Sequence, residues 1–145
     1  MLSKKTQYAI HALTYLAAHD TGKPAQVAEI ASVRQVSIKF LESILLELRK
    51  AGILGSKKGK GGGYYMIKAP EQVQLITVIR LLDGPIAMLP CVSLNYYERC
   101  EMCDEETCQL RRVMGTVRDA TLKILQNTTV KDLIGRTVEQ TDFSI

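Results

Sequence analysis

The sequence predicts a mostly α-helical fold with one small β-hairpin, a cysteine-rich loop and a long C-terminal helix. Three observations predict it. Apolar residues recur at helical spacing in three segments before residue 55, and residues 54–68 place lysines and glycines between two short strand-like stretches. Beyond all four cysteines, an apolar stripe then runs from Leu110 to Leu125. At 145 residues, 46% hydrophobic and 23% charged, the chain is expected to form one core with at most one appended element. Its Ile, Leu and Val content excludes disordered, collagen-like and low-complexity classes. No stretch reaches the roughly 18–20 consecutive apolar residues that a membrane span requires.

The first helix is predicted over residues 4–19, where Ala9, Leu13, Leu16 and Ala17 share a face. Lys4-Lys5 before Tyr8–Ala18 superficially resembles an export signal, but His11 and Thr14 interrupt the apolar run and Asp20 follows it. The segment therefore reads as mature protein, which implies a cytoplasmic chain with reduced thiols. A short second helix is expected from Pro24 through Val27, Ile30 and Ala31. After a break at Ser32–Val36, Ser37 is an N-cap residue for a third helix with Phe40, Leu41, Ile44, Leu45 and Leu48 on one side. Arg49 and Lys50 suit its C-terminal dipole, and Gly52 is placed to cap it. Short helix, turn, longer helix is the layout of a helix-turn-helix, in which Ser37, Lys39 and Glu42 would face base edges. An αα-hairpin with no DNA role has the same periodicity.

The glycine hairpin favours the first reading. Lys57, Lys58 and Lys60 stud its turn, and its position directly after the third helix is that of a wing, whose lysines can follow a phosphate backbone or enter a narrow minor groove. It is not a nucleotide loop. Gly55 to Gly59 is one residue short for a P-loop, Lys60 precedes Gly61, and Tyr64 stands where a dinucleotide fingerprint needs its third glycine. Charge agrees with the wing. The chain carries a net +4, but residues 1–70 hold eleven Lys/Arg against four acids, a net +7, and the remainder is net −3. Lys4 and Lys5 add to the basic end as candidate phosphate contacts.

Val73, Leu75, Ile76, Val78, Ile79 and Leu82 predict a fourth helix, stopped by Gly84-Pro85. All four cysteines follow, as Cys91-x8-Cys100-x2-Cys103-x4-Cys108, with five carboxylates between positions 98 and 106. In a reducing compartment four close thiols read as metal ligands before disulfides. Only Cys100-x2-Cys103 is a tight zinc knuckle, whereas iron–sulfur clusters accept irregular spacings; zinc, iron–sulfur and unmetallated redox thiols all remain open here. From Leu110, Val113, Met114, Val117, Ala120, Thr121, Ile124 and Leu125 form a stripe larger than a small wing domain needs, which suggests a dimerisation helix. Thr129 and Asp132 have the spacing of a cap for a last short helix ending at Gly135.

Together Tyr8-Ala-Ile-His-Ala-Leu13, Val36-Ser-Ile-Lys-Phe-Leu-Glu42, Leu48-Arg-Lys-Ala-Gly-Ile-Leu54, Gly61-Gly-Gly-Tyr64 and the cysteine loop resemble the bacterial winged-helix regulators that include IscR, NsrR, RirA and CymR. The resemblance covers nearly the whole chain. It implies a winged helix-turn-helix DNA-binding domain at 1–84, a cofactor loop at 85–108, and a dimerisation helix with the C-terminal segment at 109–145. It further implies a homodimer on a palindromic double-stranded operator, the third helix in the major groove and the wing in the minor groove. A [2Fe–2S] or [4Fe–4S] cluster on loop cysteines, responding to iron–sulfur, redox or nitric-oxide status, is implied as well. Lys58 matches a minor-groove arginine of the family, Glu42 matches a recognition-helix glutamate, and Tyr64 closes the wing motif. Family sensors typically have three loop cysteines plus one other ligand, so this chain departs with four: Cys91 and Cys108 match the outer positions, and Cys100 and Cys103 compete for the middle one. Arg111 stands where some members have a histidine ligand, and His11 falls where a few members draw a ligand from the partner subunit. Two readings from other classes stand beside this one: a zinc-stabilised DNA-binding regulator without a cluster, and a thiol-redox or adaptor protein using Cys100 and Cys103. The second lacks the strand–helix context of thioredoxin-like motifs, and nothing else in the sequence forms a catalytic constellation.

Overall fold

The computed structural model describes residues 1–135. Helix α1 (Lys4–Ala18) opens on Ser3, whose hydroxyl accepts the Thr6 amide at 3.1 Å. The Ser3 amide donates to the Asp83 carboxylate at 3.0 Å, fastening the start of the chain to a later helix end. Desolvation pushes the Asp83 carboxyl upward, but hydrogen bonds from Ser3 and Thr6 outweigh it and hold the group below its ordinary value.

Helix α2 (Val27–Arg34) starts three residues after Pro24, where the sequence places its first turn. Ala25 is the reason. Its amide donates to the Tyr64 carbonyl at 2.9 Å and its carbonyl accepts the Tyr64 amide at 2.8 Å, so the backbone stays extended against the wing until Gln26. The turn out of α2 passes through Gln35, the one non-glycine residue with positive φ (51°) among the described residues. Helix α3 (Ile38–Lys50) then begins under the predicted cap, with the Ser37 hydroxyl accepting the Phe40 amide at 3.2 Å. Its inward residues Leu41, Ile44, Leu45 and Leu48 are at most 1% exposed. Gly52, at φ +75°, closes it in a Schellman arrangement: its amide reaches the Arg49 carbonyl and the Ile53 amide reaches the Leu48 carbonyl.

Strands β1 (Leu54–Lys57) and β2 (Gly63–Met66) pair antiparallel from Leu54 opposite Met66 to Lys57 opposite Gly63. Gly63 lies at φ +148°, and a Cβ there would run into the Ala25 carbonyl. Helix α4 (Leu75–Leu82) buries Ile76, Val78 and Ile79 and ends before Gly84-Pro85, and helix α5 (Gln109–Asn127) follows the cysteine loop. The chain then turns back. The Leu75 amide donates to the Thr128 carbonyl and the Val130 amide to the Val73 carbonyl, both at 2.9 Å, and Val130 joins the core that Ala9, Leu13, Leu45 and Val73 share. The Asp132 carboxylate accepts the Thr129 amide at 2.8 Å, as its spacing predicts. The turn it caps is a single 3-10 turn, Lys131–Leu133, where the sequence suggests a short helix.

Two substitutions test this framework by chemical denaturation. Gln35→Gly removes a left-handed conformation that side chains disfavour and is expected to raise stability by about 0.5–1 kcal/mol. Gly63→Ala, at a positive φ against the Ala25 backbone, is expected to lower it by about 2 kcal/mol or more.

Candidate DNA interface and cysteine loop

Burial of the apolar stripe of α3 turns its opposite side to solvent. Ser37, Lys39 and Glu42 are all exposed in its first turns. The Ser37 oxygen already accepts the Phe40 amide, so its hydroxyl hydrogen is what it can still offer outward. In the wing, Lys57, Lys58 and Lys60 are exposed around a tight glycine turn closed by the Gly62 amide on the Gly59 carbonyl at 3.0 Å. Arg49 at the end of α3 donates to the Ser56 hydroxyl at 2.9 Å, which ties the helix to the base of the wing. Lys4 is exposed, whereas Lys5 pairs with Glu47 of α3 at 2.6 Å and is committed to packing α1 on α3. Tyr64 is half-buried, with its backbone paired to Ala25. His11 lies exposed on α1, its imidazole shifted down by desolvation and then by the Arg34 charge.

The four cysteines are free thiols in two settings. Cys91 is buried in a 3-10 turn, Pro90–Val92, that packs on α5. Cys100, Cys103 and Cys108 are half-buried neighbours, with the Cys103 thiol hydrogen-bonded to those of Cys100 and Cys108. Those bonds, the one to Cys100 first, push the Cys103 thiol up to about 12. Cys108 moves the opposite way. It is the N-cap of α5, its Sγ accepts the Arg111 amide at 3.4 Å, and that bond, followed by the one from Cys103, lowers it. Among the described residues, no three His, Cys, Asp or Glu side chains already close into a ligand set. The row of soft thiol donors suits an iron–sulfur cluster or zinc in kind, and hard oxygen-seeking cations poorly.

Tyr97, Glu105, Arg111 and Arg118 organise this loop through bonds that the sequence reading did not foresee. The Glu105 carboxylate accepts the Cys100 amide at 2.9 Å through Oε1 and the Tyr97 hydroxyl at 2.7 Å through Oε2. The Tyr97 bond, then the Cys100 bond, lowers the Glu105 carboxyl and raises the Tyr97 phenol. Arg111 donates from Nε to the Cys91 carbonyl at 3.3 Å, and Arg118 donates to the Val92 carbonyl. One side of α5 therefore grips the turn before the loop while its N-terminus holds the loop's last cysteine. No spacing rule links an arginine to a carbonyl twenty or more residues earlier, so only the fold reveals these bonds.

Among the described residues, no helix is long and apolar enough to cross a membrane. The chain is similar to an rrf2-like helix-turn-helix transcriptional regulator of Rhodobacter capsulatus, 39% identical over 138 residues that cover 92% of each. Its fold is similar to that of CymR, the global cysteine regulator of Bacillus subtilis, with a TM-score of 0.77 at 28% identity over 92% of this chain and 95% of that one. IscR of T. potens superposes with a TM-score of 0.71 at 26% identity, over 92% of this chain and 85% of that one. The Rhodobacter protein and CymR are named as regulators, not enzymes, and the five helices and two-stranded sheet of this chain match the folds of CymR and IscR. A family model described as an iron-dependent transcriptional regulator matches residues 2–136, and the chain belongs to that family, Rrf2.

Proposed function

We propose that this transcriptional regulator binds a palindromic operator as a homodimer and that an iron–sulfur cluster in its cysteine loop sets its affinity. The DNA contacts follow from one observation. Exposed Lys39 and Glu42 on α3 and exposed Lys57, Lys58 and Lys60 on the wing belong to a unit joined by the Arg49–Ser56 hydrogen bond. Ser37, Lys39 and Glu42 contact base edges, the wing lysines contact phosphates or the minor groove, and Lys4 adds charge near the backbone. Lys5 and Tyr64 support the interface from behind, one through Glu47 and the other through Ala25.

Dimerisation rests on α5. Leu110, Val113, Val117 and Ile124 are 58%, 53%, 37% and 65% exposed, a stripe that costs free energy in water unless a second copy covers it. Beside it, a cleft of about 380 Å³ runs between Leu2, Met88, Val117 and Leu125 and extends the apolar surface.

The cluster reading is supported by the neighbouring thiols, by the resemblance to cluster-binding regulators and by the iron-dependent description of the family. When bound, the cluster supplies an iron centre that responds to redox state, iron supply or nitric oxide. The protein's own part is to hold the donors. Glu105 orients the Cys100 backbone, the Arg111 amide donates to the Cys108 sulfur that caps α5, and Arg111 with Arg118 fastens the preceding turn.

Three measurements check these assignments. Lys57/Lys58/Lys60→Ala is expected to weaken binding to a selected genomic duplex and to reduce the slope of log K against log salt by up to about 3. Unchanged affinity and slope would remove the wing from the interface. Val117→Glu with Ile124→Glu is expected to convert a dimer to a monomer by light scattering, and a monomeric parent protein would refute the dimer. Anaerobic purification is expected to give visible absorption with iron and sulfide, lost in Cys→Ser variants; stoichiometric zinc without iron or sulfide would establish the zinc-stabilised alternative instead.

A further inference from the structure

We infer that Arg80 heads a ligand site for a small monocarboxylate with an apolar body, built where α4, α5 and residues 85–95 meet. The site uses none of the thiols, so it stands whether or not the cysteine loop carries a metal.

Arg80 is half-buried on α4, and its Nε is sealed from solvent without an acceptor. None of the ion pairs among the described residues includes it. Asp83, three residues further along the same helix, is already engaged, since its carboxylate accepts both the amide and the hydroxyl of Ser3. A guanidinium in this state costs free energy, because burial strips water from a charged donor and nothing replaces it. The cavity that Arg80 lines holds about 10 Å³, and its other walls are Pro85, Ile86, Leu94 and Leu122 with Ser93 and Asn95. No carboxylate is among them. The Ser93 oxygen accepts the Tyr96 amide at 3.1 Å, so the hydrogen of this buried hydroxyl is left to donate. Asn95, which is exposed, adds an amide donor at the open edge. A single water fits this volume, but it would leave the Arg80 charge unpaired between apolar walls. A carboxylate oxygen fits the same volume, neutralises the guanidinium and accepts from its planar fork.

The body of the ligand follows from the neighbouring space. A second cavity, of about 350 Å³, shares Pro85 and Ser93 with the first and is lined further by Ala87, Met88, Leu89, Pro90 and Tyr96. Met88 and Tyr96 are 71% and 65% exposed, apolar surface that a hydrocarbon chain or ring would cover. The one acid on this cavity, Glu98, restricts the charge of the ligand. A second carboxylate on the same body would meet it, so a monocarboxylate fits and a dicarboxylate is repelled. A ligand held this way bridges α4 to the turn whose Val92 carbonyl is already gripped by Arg118 of α5.

The test uses the full reduced chain and hexanoate, followed by titration calorimetry and by broadening of the hexanoate NMR signals. Hexanoate is expected to bind roughly tenfold or more tightly than acetate, hexanamide or adipate, which lack the body, lack the charge or carry a second charge. Arg80→Gln is expected to lose roughly tenfold or more in hexanoate affinity, and Arg80→Lys to recover part of the loss. At two exposed positions, where folding is not at stake, Met88→Asp is expected to lose roughly tenfold and Asn95→Ala about threefold. Circular dichroism checks that each variant is folded. Treatment with a chelator is expected to leave hexanoate affinity within about twofold of the untreated chain. Equal binding of hexanoate and hexanamide, or unchanged affinity in folded Arg80→Gln or in Met88→Asp, would overturn the site. Loss of hexanoate binding on chelation would overturn its independence of the thiols. Binding to Val117→Glu with Ile124→Glu but not to the parent chain would also overturn it, because a second copy would then be the occupant.

Discussion

Leu41, Ile44, Leu45 and Leu48 are almost completely withdrawn from water, and the rest of the molecule is arranged around that one stripe of α3. Each such side chain contributes about 2 kcal/mol by burial, enough together to fix the rotation of the helix about its own axis. Once the rotation is fixed, Lys39 and Glu42 have nowhere to go but solvent. Helix α1 covers the stripe from one side and is held in place by the Lys5–Glu47 ion pair and by the edge contact of Tyr8 with Phe40, whose ring centres are 5.9 Å apart. The partly exposed ion pair is the minor partner; packing does most of the holding.

The wing is a consequence of how α3 stops. The left-handed Gly52 returns the chain so that Ile53 and Leu54 enter the same core, and β1 starts with its backbone already aligned. Ala25 supplies a third extended partner on the other side of β2, so the two-stranded hairpin, marginal by itself, is braced by the segment before α2. The lysine turn can then be rich in glycine without loosening the strands that carry it. The C-terminal return completes the unit, because Val130 fills the core against Val73 and brings the end of α5 back to the start of α4.

Between these two parts lies the cysteine loop, and its order comes from polar contacts, not from a core. Glu105, Arg111 and Arg118 engage the backbone or sulfur of Cys91, Val92, Cys100 and Cys108, and the Tyr97 hydroxyl donates to Glu105. The loop's connection to α5 is direct, since Cys108 is both the last cysteine of the loop and the cap of the helix whose far side is proposed to meet a second copy.

Much of this was legible in the sequence because it is governed by local rules. Helical periodicity located α1, α3, α4 and α5, and Ser37, Gly52 and the Thr129–Asp132 pair identified themselves as caps by residue type and spacing. The start of α2 was not legible, since the pairing of Ala25 with Tyr64 joins residues 39 positions apart and no propensity records it. The same holds at the cysteine loop. Four clustered cysteines announce thiolate chemistry, but their spacing treats them as equals. Only the folded chain distinguishes Cys91, because burial and the grip of two arginines from a helix twenty residues away depend on where α5 packs. Sequence by itself determined the elements, the basic half and the clustering of the four thiols; tertiary structure decided which lysines remain exposed and which cysteine is buried, because both are set by long-range packing that leaves no periodic trace in the chain.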